Sequence, residues 1–193
     1  MAANFTAREV AALADVPVRA VDKAIEEKVL LGIHRPGVRG RRMLPLYAVP
    51  YAAIMARLPI TLSLTAKRNL ARTLGGLPAG RMTTESLEIA PAVTLDVPAL
   101  VGRDLAERAE RYGRSRDDHI EVNPDIMGGT PVLRGTRITV YAVLGRLDGG
   151  DSLEDILADY PNLTPEALDT AGLYARTHPF VGRPAGRPWA KAV

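Results

Sequence analysis

Thr6-Ala7-Arg8-Glu9 has the form of a capping box: the Thr side chain accepts an amide proton, and a Glu three positions on reaches back to the cap. Val10 and Leu13, with Phe5 just before the cap, give the helix it opens one apolar stripe. Asp15-Val16-Pro17 then interrupts it, because proline disfavours helical backbone in the residue before it. A second helical pattern runs from 18 to about 28, with Val21, Ala24, Ile25 and Val29 at three- and four-residue spacing. Two short helices joined by a tight turn are a helix-turn-helix unit. The 193 residues are 47% apolar but only 5% aromatic, so any core must be built from Leu, Ile, Val and Ala. That length allows one ordinary domain or two small ones.

Residues 30–47 read as two short strands around the turn Pro36-Gly37-Val38-Arg39-Gly40. A basic hairpin directly after a helix-turn-helix is a wing. Its Arg35, Arg39, Arg41 and Arg42 are candidates to meet backbone phosphates beside the groove that holds the second helix. Arg19 and Lys23, on one face of that second helix, are candidates for base edges, although Asp22, Glu26 and Glu27 offset their charge. Further helices are expected at about 50–58 and 65–74, the second presenting Lys67, Arg68 and Arg72. Charge supports this reading. Residues 1–80 hold 12 Lys and Arg against 5 Asp and Glu, whereas residues 81–193 hold 13 against 17. No acid occurs between Glu27 and Glu85. A folded unit so one-sided presents a positive face to polyanions.

The order helix, turn, helix, hairpin and the helix of "LPLYAVPYAAI" resembles the winged DNA-binding domain of MerR-like and excisionase-like regulators. The resemblance covers about the first sixty residues and implies operator binding as a homodimer.

Gly75-Gly76-Leu77-Pro78-Ala79-Gly80 breaks any helix and marks a boundary. Leu87-Glu88-Ile89 and Val93-Thr94-Leu95-Asp96-Val97 alternate like strands. Pro98 then suits the first turn of a helix running to Tyr112 and ended by Gly113. Its stripe of Leu100, Leu105, Ala109 and Tyr112 is either intramolecular core or a dimer seam. Asp104–Arg108 and Glu107–Arg111 are spaced to pair along it.

The stretch "NPDIMGGTPVLRGTRI" from Asn123 to Ile138 resembles domain-of-unknown-function family 433, which is similar to the VapB-type antitoxin partners of PIN-like nucleases. "SLEDILADYP" and "LTPEAL" follow in the family's order. The resemblance implies a trihelical domain with a short β element and a PIN-like ribonuclease toxin as partner. Read from the residues alone, Gly128-Gly129 and Gly135 are turn positions rather than a phosphate loop, since no Lys-Ser/Thr follows to open a helix. Arg134 and Arg137 flank the turn and are expected to fix it by pairing with local carboxylates or carbonyls. Helices are expected at 139–147, after the Ser152/Asp155 cap, and after Thr164-Pro165-Glu166. Glu154, Asp155, Asp159, Glu166 and Asp169 would repel phosphate, so this unit is expected to associate with protein rather than DNA.

The Pro/Gly-rich tail carries Arg183, Arg187, Lys191 and the single tryptophan, Trp189, as candidate toxin contacts. The expected organisation is a winged helix-turn-helix at 1–76, a linker with short strands and an amphipathic helix at 77–116, a trihelical domain at 117–179 and a partner-binding tail at 180–193. The fold class is mainly α, of α+β type. With no cysteine there is neither a disulfide scaffold nor a thiol nucleophile. His34, His119 and His178 are scattered, no paired-acid or triad spacing stands out, and neither an enzyme nor a cofactor is expected. The apolar stretch 45–56 is too short to cross a bilayer, and the start shows no basic-then-apolar leader; a cytoplasmic chain is expected. These readings lead to an antitoxin that neutralises a PIN-like ribonuclease and represses its own operon. The alternatives are a stand-alone MerR-like regulator with a sensing C-terminal domain, and an assembly adaptor that binds no DNA.

Overall fold

The computed structural model describes residues 4–33 and 42–180. The molecule is mainly helical, with three small antiparallel two-stranded sheets among the described residues.

Strand β1 (Asn4–Phe5) leads into α1 (Ala7–Ala14), which starts on the expected capping box. The Thr6 hydroxyl accepts from the Glu9 amide at 3.2 Å, and the Thr6 amide donates to Glu9 Oε2 at 2.7 Å. Asp15 closes the helix in the left-handed region, at φ 55°, where a short polar side chain is tolerated. Pro17 then sets up α2 (Val18–Glu26), which buries Val21 and Ala24 against α1.

Strand β2 (Leu44–Pro45) pairs with β1, Phe5 opposite Leu44, so the second arm of the expected hairpin has a partner at the start of the chain. Residues 30–33 form no strand; the Tyr47 hydroxyl holds this segment by accepting from the Leu31 amide at 2.6 Å and donating to the Leu31 carbonyl at 2.8 Å. Residues 34–41, the tip of the expected wing, lie outside the described residues.

α3 (Ala48–Arg57) is buried along most of its length, with Pro50 in the first turn, where no intrahelical N–H bond is lost. α4 (Leu64–Gly75) is capped by Ser63, and the short α5 (Ala79–Met82) occupies the expected boundary. β3 (Leu87–Ala90) and β4 (Val93–Leu95) form a tight hairpin through Ala92 at φ 60°.

The amphipathic helix expected from Pro98 to Tyr112 is two: α6 (Val97–Val101) and α7 (Leu105–His119), separated at Gly102, whose φ of 81° a Cβ would strain. α7 runs through Gly113, which is buried within it rather than ending it. Leu87, Ile89, Leu95, Leu105, Ala109 and Tyr112 join Phe5, Val10, Tyr51, Ile54 and Leu70 in one continuous core. The segment 77–116 is therefore part of the first core, not a linker, and the α7 stripe packs against that core.

A second core belongs to the C-terminal unit. β5 (Ile120–Glu121) pairs with β6 (Val132–Leu133), and α8 (Val140–Asp148), α9 (Leu153–Asp159) and α10 (Pro165–Thr177) follow. Thr139, Ser152 and Thr164 cap these three helices as their residue types foretell, and Val143, Ile156, Leu168 and Ala171 are buried between them. Among the described residues no helix is long and apolar enough to cross a membrane.

Candidate nucleic-acid interface and the opposed anionic face

Because α2 turns Val21 and Ala24 inward, its 3.6-residue period carries Arg19, Asp22, Lys23 and Glu26 to the outside. Lys23 is 71% exposed, its nearest carboxylate being Glu27 at 4.0 Å. Arg42 is exposed too, and it lines a groove of about 510 Å³ together with Arg8, Val18 and Asp22. Arg19, Lys23 and Arg42 thus lie outward on or beside α2. Arg35, Arg39 and Arg41 fall outside the described residues. On α4 the two neighbouring cations part company. Arg68 is exposed, whereas Lys67 is only 15% exposed and its Nζ lies 2.7 Å from Glu27 Oε2. Lys67 joins the start of α4 to the end of α2 instead of facing solvent.

Sequence reasoning missed the tertiary role of Glu9. This carboxylate is fully buried, and Oε1 accepts from Tyr112 at 3.0 Å and from Arg116 Nη1 at 3.0 Å while Oε2 serves the cap. Arg116 also donates to the Asn4 carbonyl at 2.9 Å and lies over the Phe5 ring. Burial works against its charge, but Glu9 and Asp117 outweigh that and hold its pKa above the ordinary value. Burial, then the charge of Glu9, pushes the Tyr112 phenol upward as well, so it remains a donor. One residue before Arg116 on α7, Ser115 Oγ lies 2.8 Å from Thr170 Oγ1 of α10. One helix thereby binds the first helix of the N-terminal pair and the last helix of the C-terminal unit. The signal for this was faint: an Arg one turn beyond a Tyr at the end of an amphipathic stripe.

In the C-terminal unit the arginines are engaged locally. Arg134 donates to the carbonyls of Asp117, Asp118 and Ile120, closing the end of α7 and holding the β5–β6 connection. Arg137 reaches Met127 Sδ at 3.8 Å. Arg146 bridges Asp151 and Asp159 at 2.5 and 2.6 Å, and Arg176 pairs with Asp148 at 3.0 Å. Glu154, Glu166 and Asp169 remain exposed with no ion pair among the described residues, so this surface stays anionic.

The chain leaves α10 beside the N-terminal pair. Tyr141 donates to the His178 carbonyl at 2.7 Å, Phe180 meets the Tyr141 ring edge-on at 5.2 Å, and Pro179 lines the same groove as Arg42 and Asp22. Arg183, Arg187, Trp189 and Lys191 lie outside the described residues. Among the described residues no group of three His, Asp or Glu side chains is placed to hold a metal ion. His119 and His178 end α7 and α10 respectively.

Residues 120–175 match the family described as Protein of unknown function (DUF433). The matched segment coincides with the second core. The chain is also 37% identical over 91 residues to the uncharacterized protein y4eO of Sinorhizobium fredii, a match spanning 47% of this chain and 40% of that relative. Among solved structures, a DUF433 member from Anabaena variabilis is 31% identical, covering 44% of this chain and 83% of its own, with a TM-score of 0.32. Rv2018 from Mycobacterium tuberculosis is 16% identical, covering 86% of this chain and 95% of its own, with a TM-score of 0.34.

Proposed function

We propose that this chain is the antitoxin of a type II toxin–antitoxin pair, which grips its own operator as a homodimer through a winged helix-turn-helix at its N-terminus and holds a PIN-like ribonuclease through its C-terminal unit and tail. The observation that carries the reading is electrostatic polarity. Arg42 and Arg68 stand exposed in a stretch, residues 28–84, that holds no acid, and Arg19 and Lys23 stand exposed on α2 just before it, whereas in the C-terminal unit Arg134 is engaged by backbone carbonyls and Arg146 and Arg176 by carboxylates. Mobile cations on a folded face are what phosphate binding requires; paired ones add little to it. An anionic surface repels a duplex and suits a polypeptide partner.

α2 is the segment for the major groove, with Arg19 and Lys23 toward base edges; Arg42, Arg68 and the arginines at 35, 39 and 41 bind phosphates. Lys67 is assigned no phosphate, since Glu27 holds it. In the tail, Trp189 is the interface anchor, and Arg183, Arg187 and Lys191 reach toward the clustered carboxylates of the nuclease.

Co-expression with the nuclease encoded beside this gene tests the reading. An antitoxin co-purifies with that nuclease and restores growth; failure of both contradicts the proposal. Deleting residues 181–193 isolates the tail, and unimpaired neutralisation would remove it from the mechanism. A stand-alone regulator is the second reading, favoured by α7, which meets α1 through Glu9–Arg116 and α10 through Ser115–Thr170. It would bind the same DNA without needing the nuclease.

A further inference from the structure

A groove of about 780 Å³ runs between α1, α7 and α10, and none of the residues assigned to DNA lines it. Its floor is apolar, with Leu13, Leu105 and Leu173 contributed by the three helices. Its two walls carry opposite charge. Arg108 and Arg111 stand exposed on α7, three residues apart and hence on one face, while Glu166 and Asp169 stand exposed on α10 with the same spacing. Arg111, Glu166 and Asp169 form no ion pair among the described residues. Arg108 reaches back to its own Asp104 at 3.1 Å, but both side chains are more than half exposed. Such a surface pair is weak and is easily exchanged for another partner.

We propose that this groove is the seam on which two copies of the chain meet about a two-fold axis parallel to it. The charge pattern is self-complementary in that orientation. Rotation about the groove direction lays α7 of one copy over α10 of the other, so each pair of arginines faces a pair of carboxylates and the apolar floors close on each other. A two-fold axis across the groove would set like charge on like. In an isologous contact one surface supplies both halves, so four side chains give two identical sets of ion pairs. A partner of another sequence would have no reason to need both signs in equal number. The seam supplies the homodimer on which the operator reading rests, yet its test needs neither DNA nor nuclease.

Sedimentation equilibrium of the full chain is the experiment. The parent is expected to dimerise. Arg108→Glu with Arg111→Glu, and separately Glu166→Lys with Asp169→Lys, should each weaken the dimer at least tenfold, because like charges then face across the axis. Mixing those two variants in equal amounts should restore association as a heterodimer, since every facing pair is again of opposite sign. All four positions are exposed, so the variants should keep the parent's circular dichroism and melting temperature; should a reversal unfold the chain, the milder Arg108→Gln with Arg111→Gln serves in its place. A monomeric parent, a dimer indifferent to either double substitution, or no recovery on mixing would each overturn the seam. A dimer that behaves as described but ignores its promoter would leave the seam standing and defeat the operator reading.

Discussion

Glu9 closes the capping box of α1 with one oxygen and receives Tyr112 and Arg116 with the other, entirely shielded from water. Removing one member of such a pair leaves a buried charge without compensation, which costs about 3–5 kcal/mol. Arg116→Met is therefore expected to lower stability by that order in urea unfolding, and Arg116→Met combined with Glu9→Gln to be less damaging than Arg116→Met alone. Additive losses would contradict the pairing. Lys67 and Arg68 provide a second residue-level contrast. Arg68→Ala should reduce DNA affinity and its salt dependence, whereas Lys67→Ala should leave the salt slope unchanged, as judged by titrations at several salt concentrations. The cap half of Glu9 was legible because Thr6 and Glu9 are three residues apart. The Arg116 half was not, since only the packing of α7 on α1 brings residues 107 positions apart into contact.

At the level of elements, the starts of helices were readable, and so was the break at Asp15-Val16-Pro17, but not every glycine was. Thr6, Ser152 and Thr164 act through a side chain and an amide within one turn, so local sequence specifies them. Gly102 and Gly113 look alike in a string of letters. Only the path of the chain decides that the first breaks the helix at a positive φ while the second is absorbed in the middle of α7. The partner of β2 was equally hidden: Phe5, buried and far back in the chain, pairs with Leu44, and only the packing of α1 brings the two together. The α9 cap yields a pH prediction. Side-chain and amide hydrogen bonds from Ser152 hold the Asp155 carboxyl below its ordinary value. Its contribution is thus complete above the usual aspartate range, near pH ~3.9, and is lost as pH falls through the lower folded value. Ser152→Ala should cost about 1 kcal/mol at neutral pH. In melting curves taken from pH 7 down to pH 3, its deficit relative to the parent should shrink toward the acid end. A deficit independent of pH would contradict the role given to Asp155.

Across the whole molecule, two cores share one bridging helix. The Gly-Pro punctuation at residues 75–80 marked a boundary in the sequence because it breaks a helix, but the chain turns there and folds back onto the first core. α7 then touches both units, Arg116 meeting Glu9 of α1 and Ser115 meeting Thr170 of α10. Charge was the most legible property at this scale: a count along the chain already separates a cationic front from an anionic rear. What the count missed is which cations are free, because Lys67, Arg57, Arg134, Arg146 and Arg176 all answer to nearby oxygen atoms. The most direct test is the salt dependence of binding by the full chain to the DNA upstream of its own gene. Log K should fall linearly with log salt, and replacing Arg42 and Arg68 together by alanine should flatten the slope by roughly 1.8, about 0.9 for each lost phosphate contact. Replacing Arg146 and Arg176 should leave that slope where it was; a slope indifferent to the first set, or moved by the second, would contradict the polarity on which the proposed function stands.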